Sequence, residues 1–422
     1  MNQHRYDIIA LGDSLASRLA TVLLAKAGKK VLTFRPQHPP FTPWLFNSIH
    51  LGQVLDQLGG RNNLTAARKL QVITGESRLE LHGREPLSEE LRREFPSSHN
   101  QVAHLLQTLE VLGNRLESQL LSSGGLPLFD LAGRLRFRRK LLLSRFGFLS
   151  LRKPLLHLLD EITDKSPRIC LDALFSGLAM APIERLTVAE GALLWAGACQ
   201  TQEISIAALD DLLQRRYEQF HGCSEPLDTI KEIGKDGIIH LKNSRTNSAD
   251  TLIIGSSRGI GYLPVENRKL VKAQPPLCRW ETSPILIGAS PVLASRVILS
   301  DPLPLRVTLT PSPTGTVCTA ESKGADASCP PSEDKVRLQL AGILPFASFS
   351  LSPVATHESA SVDEFRWPAS RAFPGTALRL RLKNSLLLGS GADAVPYLGG
   401  TGEIMTGVAL ARYLLWANKQ GP

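Results

Sequence analysis

The chain has 422 residues, of which 43% are hydrophobic and 21% are charged; this balance excludes a disordered chain and allows two or three domain-sized cores. It carries 48 lysines and arginines against 39 acids, a net charge of +9, which favours anionic partners such as phosphate groups, nucleic acid or acidic lipid headgroups. Its 6 scattered cysteines form no CxxC pair, so neither a zinc site nor a disulfide framework is indicated.

The location of the protein is predicted from the same features. The scattered cysteines favour a reducing compartment. The N-terminal residues lack the regions of a signal peptide, and no apolar run reaches the roughly 18 residues of a membrane span. We therefore expect a cytoplasmic protein, either soluble or peripheral to the inner face of a membrane.

The first forty residues predict a βαβ unit. An Ile-rich run, Tyr6–Leu11, meets a sharp turn at Gly12 and is followed by a helical pattern of apolar residues. Gly28 ends that helix, and Val31–Phe34 forms a second strand. Such a unit is right-handed by default and buries its strands on both faces.

The turn after the first strand is a candidate phosphate site. In a dinucleotide fold the pyrophosphate lies on the helix N-terminus, beside a Gly-x-Gly-x-x-Gly fingerprint. Here the three glycine positions hold Gly12, Ser14 and Ser17, so only the first glycine is kept. Ser14 can donate its hydroxyl to a phosphate, but a carboxylate such as Asp13 at about 5 Å costs on the order of 3 kcal/mol. The alternative is that Asp13 or Ser14 is an ordinary helix N-cap.

Arg35 ends the second strand, where an acid normally binds a ribose. An arginine cannot accept the hydrogen bonds of ribose hydroxyls. It can instead pair with the 2′-phosphate of an NADP-type ligand, or lie as a solvated residue at the strand end.

Residues 131–159 carry a dense positive charge. They contain no acids and interleave basic residues with Leu and Phe. This composition suits an anionic membrane surface, where each basic side chain contributes about 1 kcal/mol; the alternative is a helical hairpin with a solvated basic face. Nucleic-acid binding is not expected, because no recognised motif accompanies the charge. The basic side chains expected to face a membrane are Arg134, Arg136, Arg138, Arg139, Lys140 and Arg145.

Later segments add further elements in chain order. Ile206–Phe220 is an amphipathic helix, Ile230–Ile233 is a strand that enters a hairpin, and Ala249–Ser257 is another strand. Residues 261–374 alternate β-branched runs with proline-rich turns, which predicts a strand-rich domain. The polar stretch Thr310–Lys335 within them is interpreted as a mobile loop or a long hairpin tip.

The C-terminal segment Asn384–Lys419 again predicts a strand, a glycine-rich turn and a long helix. Its glycines include Gly399, Gly400, Gly402 and Gly407. Free N–H groups at such a helix start suit the electron-rich edge of a reduced flavin. The alternative is that the glycines serve only close helix-to-strand packing.

Together these segments resemble the phytoene desaturase and amine oxidase group of FAD-dependent oxidoreductases. The block from Ile206 to Ser257 is similar to that group's helix, adenine-side strand and closing strand, and Asn384–Lys419 is similar to its C-terminal FAD segment. The resemblance implies an α/β fold, with a FAD/NAD(P)-binding Rossmann-like domain assembled from discontinuous segments and an inserted α+β substrate domain. The expected ranges are 1–80, 184–260 and 375–422 for the first domain, and 81–183 and 261–374 for the substrate domain.

The resemblance also implies FAD as cofactor and Ile230 as its adenine-side contact. The ribityl-binding acid is either replaced by Ser390 or supplied by Asp393 after a short insertion. In related desaturases the helices of the first insertion lie near the mouth of the substrate tunnel and can touch the bilayer. The expected cofactor-binding residues are Gly12, Ser14, Leu15, Ser17, Arg35, Ile230, Gly255, Ser390, Asp393, Gly400, Gly402, Glu403 and Ile404.

Three functions follow as hypotheses. The leading one is a FAD-dependent oxidoreductase that transfers hydride between a small apolar substrate, isoprenoid-like or an amine, and flavin N5; no residue is assigned a catalytic role. The alternative is a cofactor-free scaffold that binds lipid, a membrane or a partner, a role that Rab GDP-dissociation inhibitors give this architecture. The missing glycines, Asp13 and Arg35 favour the scaffold, and the C-terminal glycines favour the enzyme. The third is an NADP-binding protein that uses Arg35.

Overall fold

The structure of the chain is a computed structural model. It describes residues 3–36, 44–83, 86–126, 133, 135–137, 139, 151–255, 257–268, 271–273, 277–286, 293–301, 303–323, 332–345, 347–357, 360–362, 379–382, 386–389 and 397–417. The longer helices in these ranges are α1 (Leu15–Lys26), α2 (Ile49–Leu58), α3 (Leu87–Glu94), α4 (His99–Ser123), α5 (Lys165–Ala179), α6 (Val188–Ala198), α7 (Ile206–Gln219), α8 (Glu333–Ile343) and α9 (Gly399–Ala417). Single helical turns lie at Leu156–Leu159, Ser257–Ile260 and Val265–Arg268.

The strands of the described residues are β1 (Gln3–Leu11), β2 (Val31–Arg35), β3 (Thr65–Ala66), β4 (Leu70–Ile73), β5 (Arg78–Leu81), β6 (Gln202–Glu203), β7 (Cys223–Pro226), β8 (Ile230–Ile233), β9 (Ile239–Leu241), β10 (Thr246–Ile254), β11 (Val271–Ala273), β12 (Leu277–Thr282), β13 (Arg296–Leu299), β14 (Leu305–Ser312), β15 (Gly315–Lys323), β16 (Leu351–His357), β17 (Ala360–Val362), β18 (Arg379–Arg381) and β19 (Leu386–Gly389). Besides the two larger sheets, β3 pairs with β6, and β11 pairs with β17.

The main sheet is built around β1. Its order is β18-β19-β10-β1-β2-β7, and β1 runs parallel to both β10 and β2. Ile8 of β1 is 1% exposed, and Ile9 and Leu11 are fully buried, as expected for a central parallel strand that is covered on both faces. The predicted βαβ opening and the α/β fold class are confirmed.

Alternate side chains of β1 enter two different cores. Ile8 joins Leu19 and Leu410 beneath α1 and α9. Ile9 joins Phe34 and Ile239 beneath the antiparallel hairpin of β8 and β9. The main sheet is therefore covered by an apolar core on each face. Helices α1 and α9 lie side by side on one of these faces.

The second large sheet has the order β16-β12-β15-β14-β13-β4-β5. Its neighbours are antiparallel except for β13 and β4, which are parallel. Strand β4 and the first three residues of β5 belong to this sheet although they lie within the predicted first segment, 1–80. The division into domains remains a prediction.

The prediction of a mobile loop or long hairpin tip over Thr310–Lys335 is wrong for most of its described residues. Strands β14 and β15 form a continuous hairpin whose tip is only Pro313 and Thr314, and α8 begins near the end of the segment. Because β15 lies between β14 and β12, both of its edges are hydrogen-bonded. Its small residues Cys318 and Ala320 are fully buried, so a polar composition does not prevent strand formation.

Buried charges join the second sheet to the segment that precedes α2. Arg296 of β13 forms an ion pair of 2.8 Å with Glu203, which also pairs with Arg68. The ring of Trp44 lies 5.5 Å from the Arg296 guanidinium and 5.0 Å from that of Arg306. Separating the two partners of such a pair would leave each charge buried without compensation. The pair therefore holds the second sheet and the neighbouring segments in one arrangement.

Helices α3 to α6 share a further apolar core with β4 and β5. Within it α4 and α6 approach closely at Gly113, where a Cβ atom would lie 2.1 Å from the carbonyl oxygen of Ala192. A glycine is therefore required for this helix contact.

We expect Gly113→Ala to lower the free energy of unfolding by about 1–3 kcal/mol, because the added methyl group overlaps the α6 backbone. Gly52→Ala is the matched control: a Cβ atom at Gly52 in α2 meets no atom within 4 Å, so helix propensity predicts a gain of up to about 1 kcal/mol. Urea unfolding of both variants measures the difference. Equal stability of the two would contradict the packing at Gly113.

Candidate functional site

The candidate site lies where β1 ends and α1 begins. Gly12 has a φ of 103°, a left-handed conformation that glycine adopts without strain. Its N–H donates to the Phe34 carbonyl oxygen at 2.8 Å, which fixes the turn against β2. Ser14 then caps α1 by accepting a hydrogen bond from the Ser17 N–H at 3.3 Å. The N-cap alternative of the sequence analysis is thus what the structure has at Ser14.

The serines at the fingerprint positions are bonded within the protein. Ser17 is fully buried, and its hydroxyl donates to the Gly12 carbonyl oxygen at 3.4 Å. The Ser14 N–H donates to the Gly255 carbonyl oxygen at 3.0 Å. A Cβ atom at Gly255 would lie 2.7 Å from that of Ser17, so Gly255 is needed for this contact. The structure brings these residues together, and they bond to one another.

The side chain of Glu403 reaches the start of α1 from α9. Its carboxylate Oε2 accepts a hydrogen bond from the Ala16 N–H at 3.2 Å, and the residue is only 6% exposed. A first-turn N–H at the positive end of a helix is the group that an anion ordinarily occupies. In this protein a side chain of α9 therefore stands in the position where a phosphate oxygen would bind.

Two glycines of the C-terminal segment have a packing cause. A Cβ atom at Gly407 would lie 2.8 Å from the Ala16 carbonyl oxygen, and one at Gly400 would lie 2.9 Å from the Trp44 carbonyl oxygen. Both glycines let α9 approach neighbouring backbone. The packing explanation is supported at these positions, although the neighbours are a helix and a loop and not a strand.

Asp13 adds a second carboxyl group at the same turn. It is 7% exposed, and its Oδ1 has no hydrogen-bond partner among the described residues. Burial raises its pKa to about 6, against the opposing influence of Arg18 and Arg35. A buried carboxyl group repels a further anion once it is ionised.

The two arginines beside Asp13 are held by α7. Arg18 forms an ion pair of 2.6 Å with Asp210. Arg35 donates to Gln214 and lies 5.5 Å from the centre of the Tyr217 ring. Burial, followed by the Arg18 guanidinium, lowers the pKa of Arg35. Both guanidinium groups are thus engaged by α7.

A dinucleotide does not fit this arrangement. Its pyrophosphate would have to displace the Glu403 carboxylate from the Ala16 N–H and lie beside Asp13. An NADP-type 2′-phosphate would also have to draw Arg35 away from Gln214. The Rossmann-type framework is present, whereas the carboxyl group of Glu403 accepts the hydrogen bond of an N–H at its phosphate position.

The other predicted residues are dispersed. Ile230 is 1% exposed in the core beneath the β8–β9 hairpin, and Leu15 and Ile404 are buried in the opposite core. The Gly402 N–H donates to the carbonyl oxygen of Leu398, the residue that precedes α9. The predicted residues that lie outside the described ranges are Ser390, Asp393, Arg134, Arg138, Lys140 and Arg145.

The described part of the basic segment is exposed. Arg136 and Arg139 lie in a helical stretch and are exposed, and the neighbouring Leu135 is 57% exposed. Phe137 between them is buried at 2% exposure. None of the helices in the described ranges combines the length and the apolar character needed to cross a bilayer.

The sequence analysis assigned no role to Asp210 or Gln214. These residues are spaced i, i+4 on α7 and therefore lie on one side of it, next to Arg18 and Arg35. The amphipathic pattern of α7 places them on its polar side. Their pairing with arginines almost 200 residues earlier has no counterpart in the sequence pattern.

Comparison with solved structures identifies the fold. Putrescine oxidase bound to putrescine matches with a TM-score of 0.59 and 12% identity, covering 98% of this chain and 100% of that chain. Cyclohexylamine oxidase from Brevibacterium oxydans matches with a TM-score of 0.55 and 13% identity, covering 98% and 99%. The chain has the fold of the FAD-dependent oxidoreductase superfamily. The predicted resemblance is confirmed at this level.

The same fold occurs in a protein of another kind. The RAB GDI of Plasmodium falciparum matches with a TM-score of 0.57 and 10% identity, covering 99% of each chain. No protein-family model and no curated protein sequence matches this chain. Amine oxidases and a GDI match about equally well, so the likeness defines the fold only. The function has to be inferred from the residues of the site.

We expect Asp13→Asn to stabilise the protein at neutral pH. A carboxyl group whose folded-state pKa is about 6 favours the folded state below pH 3.8 and loses that contribution as the pH rises through 6. The variant should therefore gain about 3 kcal/mol over the wild type at pH 7 to 8 and nothing near pH 3.5. Urea unfolding across this range tests it.

Asp56→Asn is the matched control, because Asp56 is exposed and its partner Arg61 lowers the pKa of its carboxyl group. Its removal should not stabilise the protein at any pH. The assignment is wrong if the stability difference at Asp13 does not change between pH 4 and pH 7.

Proposed function

We propose that this chain is a non-redox member of the FAD-dependent oxidoreductase fold, which acts by binding an anionic membrane surface through its basic helical insertion. The observation that carries the first part is the hydrogen bond from the Ala16 N–H to the Glu403 carboxylate. Because a side chain of the protein already accepts the hydrogen bond that a phosphate would accept, a dinucleotide loses part of its usual binding energy at this position.

The energetic argument is one of competition. A phosphate oxygen and the Glu403 carboxylate cannot both accept the same N–H, and two such charges about 4 Å apart repel by about 4 kcal/mol at an effective dielectric constant near 20. This corresponds to roughly a thousandfold loss of affinity. Ionised Asp13 adds to the repulsion above its pKa of about 6.

The proposed binding surface is the segment 131–159. Arg136 and Arg139 are exposed on a helical stretch beside exposed Leu135, while Phe137 is buried. Basic residues that flank an apolar side chain suit the headgroup layer, where charge attracts the protein and the apolar group inserts. The absence of acids from the segment supports this choice over a protein partner with mixed charge.

Flavin-dependent hydride transfer on an apolar or amine substrate is the alternative. It requires Glu403 and Asp13 to leave the pyrophosphate position, and it predicts a yellow protein that loses its colour on reduction. An NADP-type ligand bound by Arg35 needs the same space. A single set of binding measurements therefore separates the three hypotheses.

We expect freshly purified protein to be colourless and to retain no flavin absorbance after incubation with excess FAD and removal of the unbound fraction. Neither FAD nor NADPH should raise its melting temperature, since a ligand that binds only the folded state must stabilise it. A flavin spectrum that survives the removal step would overturn the non-redox proposal and restore the oxidoreductase hypothesis.

We expect the protein to sediment with vesicles that contain phosphatidylglycerol and not with pure phosphatidylcholine vesicles, and to be released as salt increases. Reversing two charges, in Arg136→Glu with Arg139→Glu, should weaken partitioning by about 2 kcal/mol or more, roughly thirtyfold. The matched control reverses exposed Arg92 and Arg215 on α3 and α7 and should bind as the wild type does. Equal losses in both double variants would contradict the proposed surface.

A further inference from the structure

The second sheet ends at β5, and the outer edge of this strand is covered by α3. Among the described strands β5 pairs with β4 alone. An edge strand presents unpaired N–H and C=O groups that can pair with another chain. Helix α3 packs against β5, and its apolar anchors Leu91 and Phe95 are buried in the core that β4 and β5 share.

Side chains of α3 take the place of a neighbouring strand along β5. The Arg78 N–H donates to the Glu94 carboxylate, and the Glu80 N–H donates to the Glu90 carboxylate at 2.8 Å. Arg93 donates to the Arg78 carbonyl oxygen at 3.4 Å and to Glu90 at 2.6 Å. Alternate residues of a strand direct their backbone groups to the same edge. Both outward N–H groups of this edge are therefore bonded to a helix and not to a strand.

The spacing of the two carboxylates matches the spacing of the two N–H groups. Glu90 and Glu94 are four residues apart, which corresponds to about 6 Å along a helix. Arg78 and Glu80 are two residues apart, which corresponds to about 6.6 Å along a strand. Glu90 is only 3% exposed, and a buried carboxylate requires hydrogen-bond donors. The strand N–H groups are among the donors that allow Glu90 to be buried here.

The edge beneath α3 is complementary to itself. Two antiparallel copies of β5 centred on Leu79 place Arg78 of each copy opposite Glu80 of the other. In this register both pairs can form the paired N–H and C=O bonds of an antiparallel ladder, with the N–H groups that now bind α3. Opposite charges directly across two strands stabilise the pairing. The arrangement is twofold, so one patch contacts its own copy.

We infer that α3 is a lid on a self-pairing edge of the second sheet, and that removing the carboxylates of Glu90 and Glu94 lets two copies of this chain pair through β5. The partner is a second copy because the order Arg78-Leu79-Glu80 is complementary in charge when it is read in reverse. The lid gives a reason for two sheet-facing carboxylates on a helix of only 8 residues. The inference concerns the second sheet and does not depend on the proposed membrane binding.

The experiment is analytical ultracentrifugation of the wild type and of Glu90→Ala with Glu94→Ala across a range of protein concentrations. The weight-average mass of the double variant should rise with concentration toward twice that of the wild type, whereas the wild type should show no such rise. Glu76→Ala with Glu89→Ala is the matched control, because it removes two exposed carboxylates close to the same strand and helix. It should sediment as the wild type does.

Two further variants test the hydrogen bonds and the register. Glu90→Gln with Glu94→Gln keeps an acceptor for each N–H group, so its mass should remain that of the wild type. Adding Arg78→Glu to the alanine variant places like charges opposite each other and should abolish the association. Association that persists with Arg78→Glu would show that pairing through β5 is wrong.

Hydrogen exchange measured by mass spectrometry reports on the edge itself. In the alanine variant the peptide that contains β5 should exchange faster than in the wild type at low protein concentration, and more slowly as the concentration rises. If the double variant fails to fold, Glu94→Ala alone should show the same changes to a smaller extent, because Glu94 is the more exposed of the two acids. A folded variant whose mass and β5 exchange equal those of the wild type would overturn the inference.

Discussion

The close crossing of α1 and α9 is the constraint on which the rest of the structure depends. Gly407 allows the Ala16 carbonyl oxygen to approach α9 to a distance that no side chain would permit. Glu403 lies four residues earlier on the same side of α9, so the contact that closes the apolar core also delivers a carboxylate to the first turn of α1. One helix crossing thus serves packing through Gly407 and a polar contact through Glu403.

A fold shared by amine oxidases and a GDI does not specify chemistry. What distinguishes this chain is the charge at one turn: carboxyl groups at Asp13 and Glu403, and arginines that α7 holds through Asp210 and Gln214. Function in such folds is decided by a few side chains on a constant frame. Glu403 accepts from the Ala16 N–H and the two arginines donate to α7, whereas Asp13 Oδ1 and Arg35 Nε have no hydrogen-bond partner among the described residues.

The sequence predicts most of the frame because its signals are local. The Ile-rich run before Gly12 and the glycines of α9 mark strand, turn and helix within a few residues of one another. The predicted loop after Thr310 fails for the opposite reason, since β15 is stabilised by strands on both sides and not by its own composition. The hydrogen bond between Glu403 and Ala16 could not be predicted from the sequence either. The two residues are 387 positions apart, and they meet only once α1 and α9 have packed together.

The distance in sequence between α1 and α9 also affects the order in which native contacts can form during synthesis. The apolar side of α1 is synthesised first, yet part of its cover is the last described helix to leave the ribosome. Likewise, one edge of β1 is hydrogen-bonded only when β10, more than 200 residues later, has been synthesised. A nascent chain therefore carries an open strand until β10 has been synthesised and a partly uncovered helix until α9 has been synthesised, the kind of surface on which chaperones act.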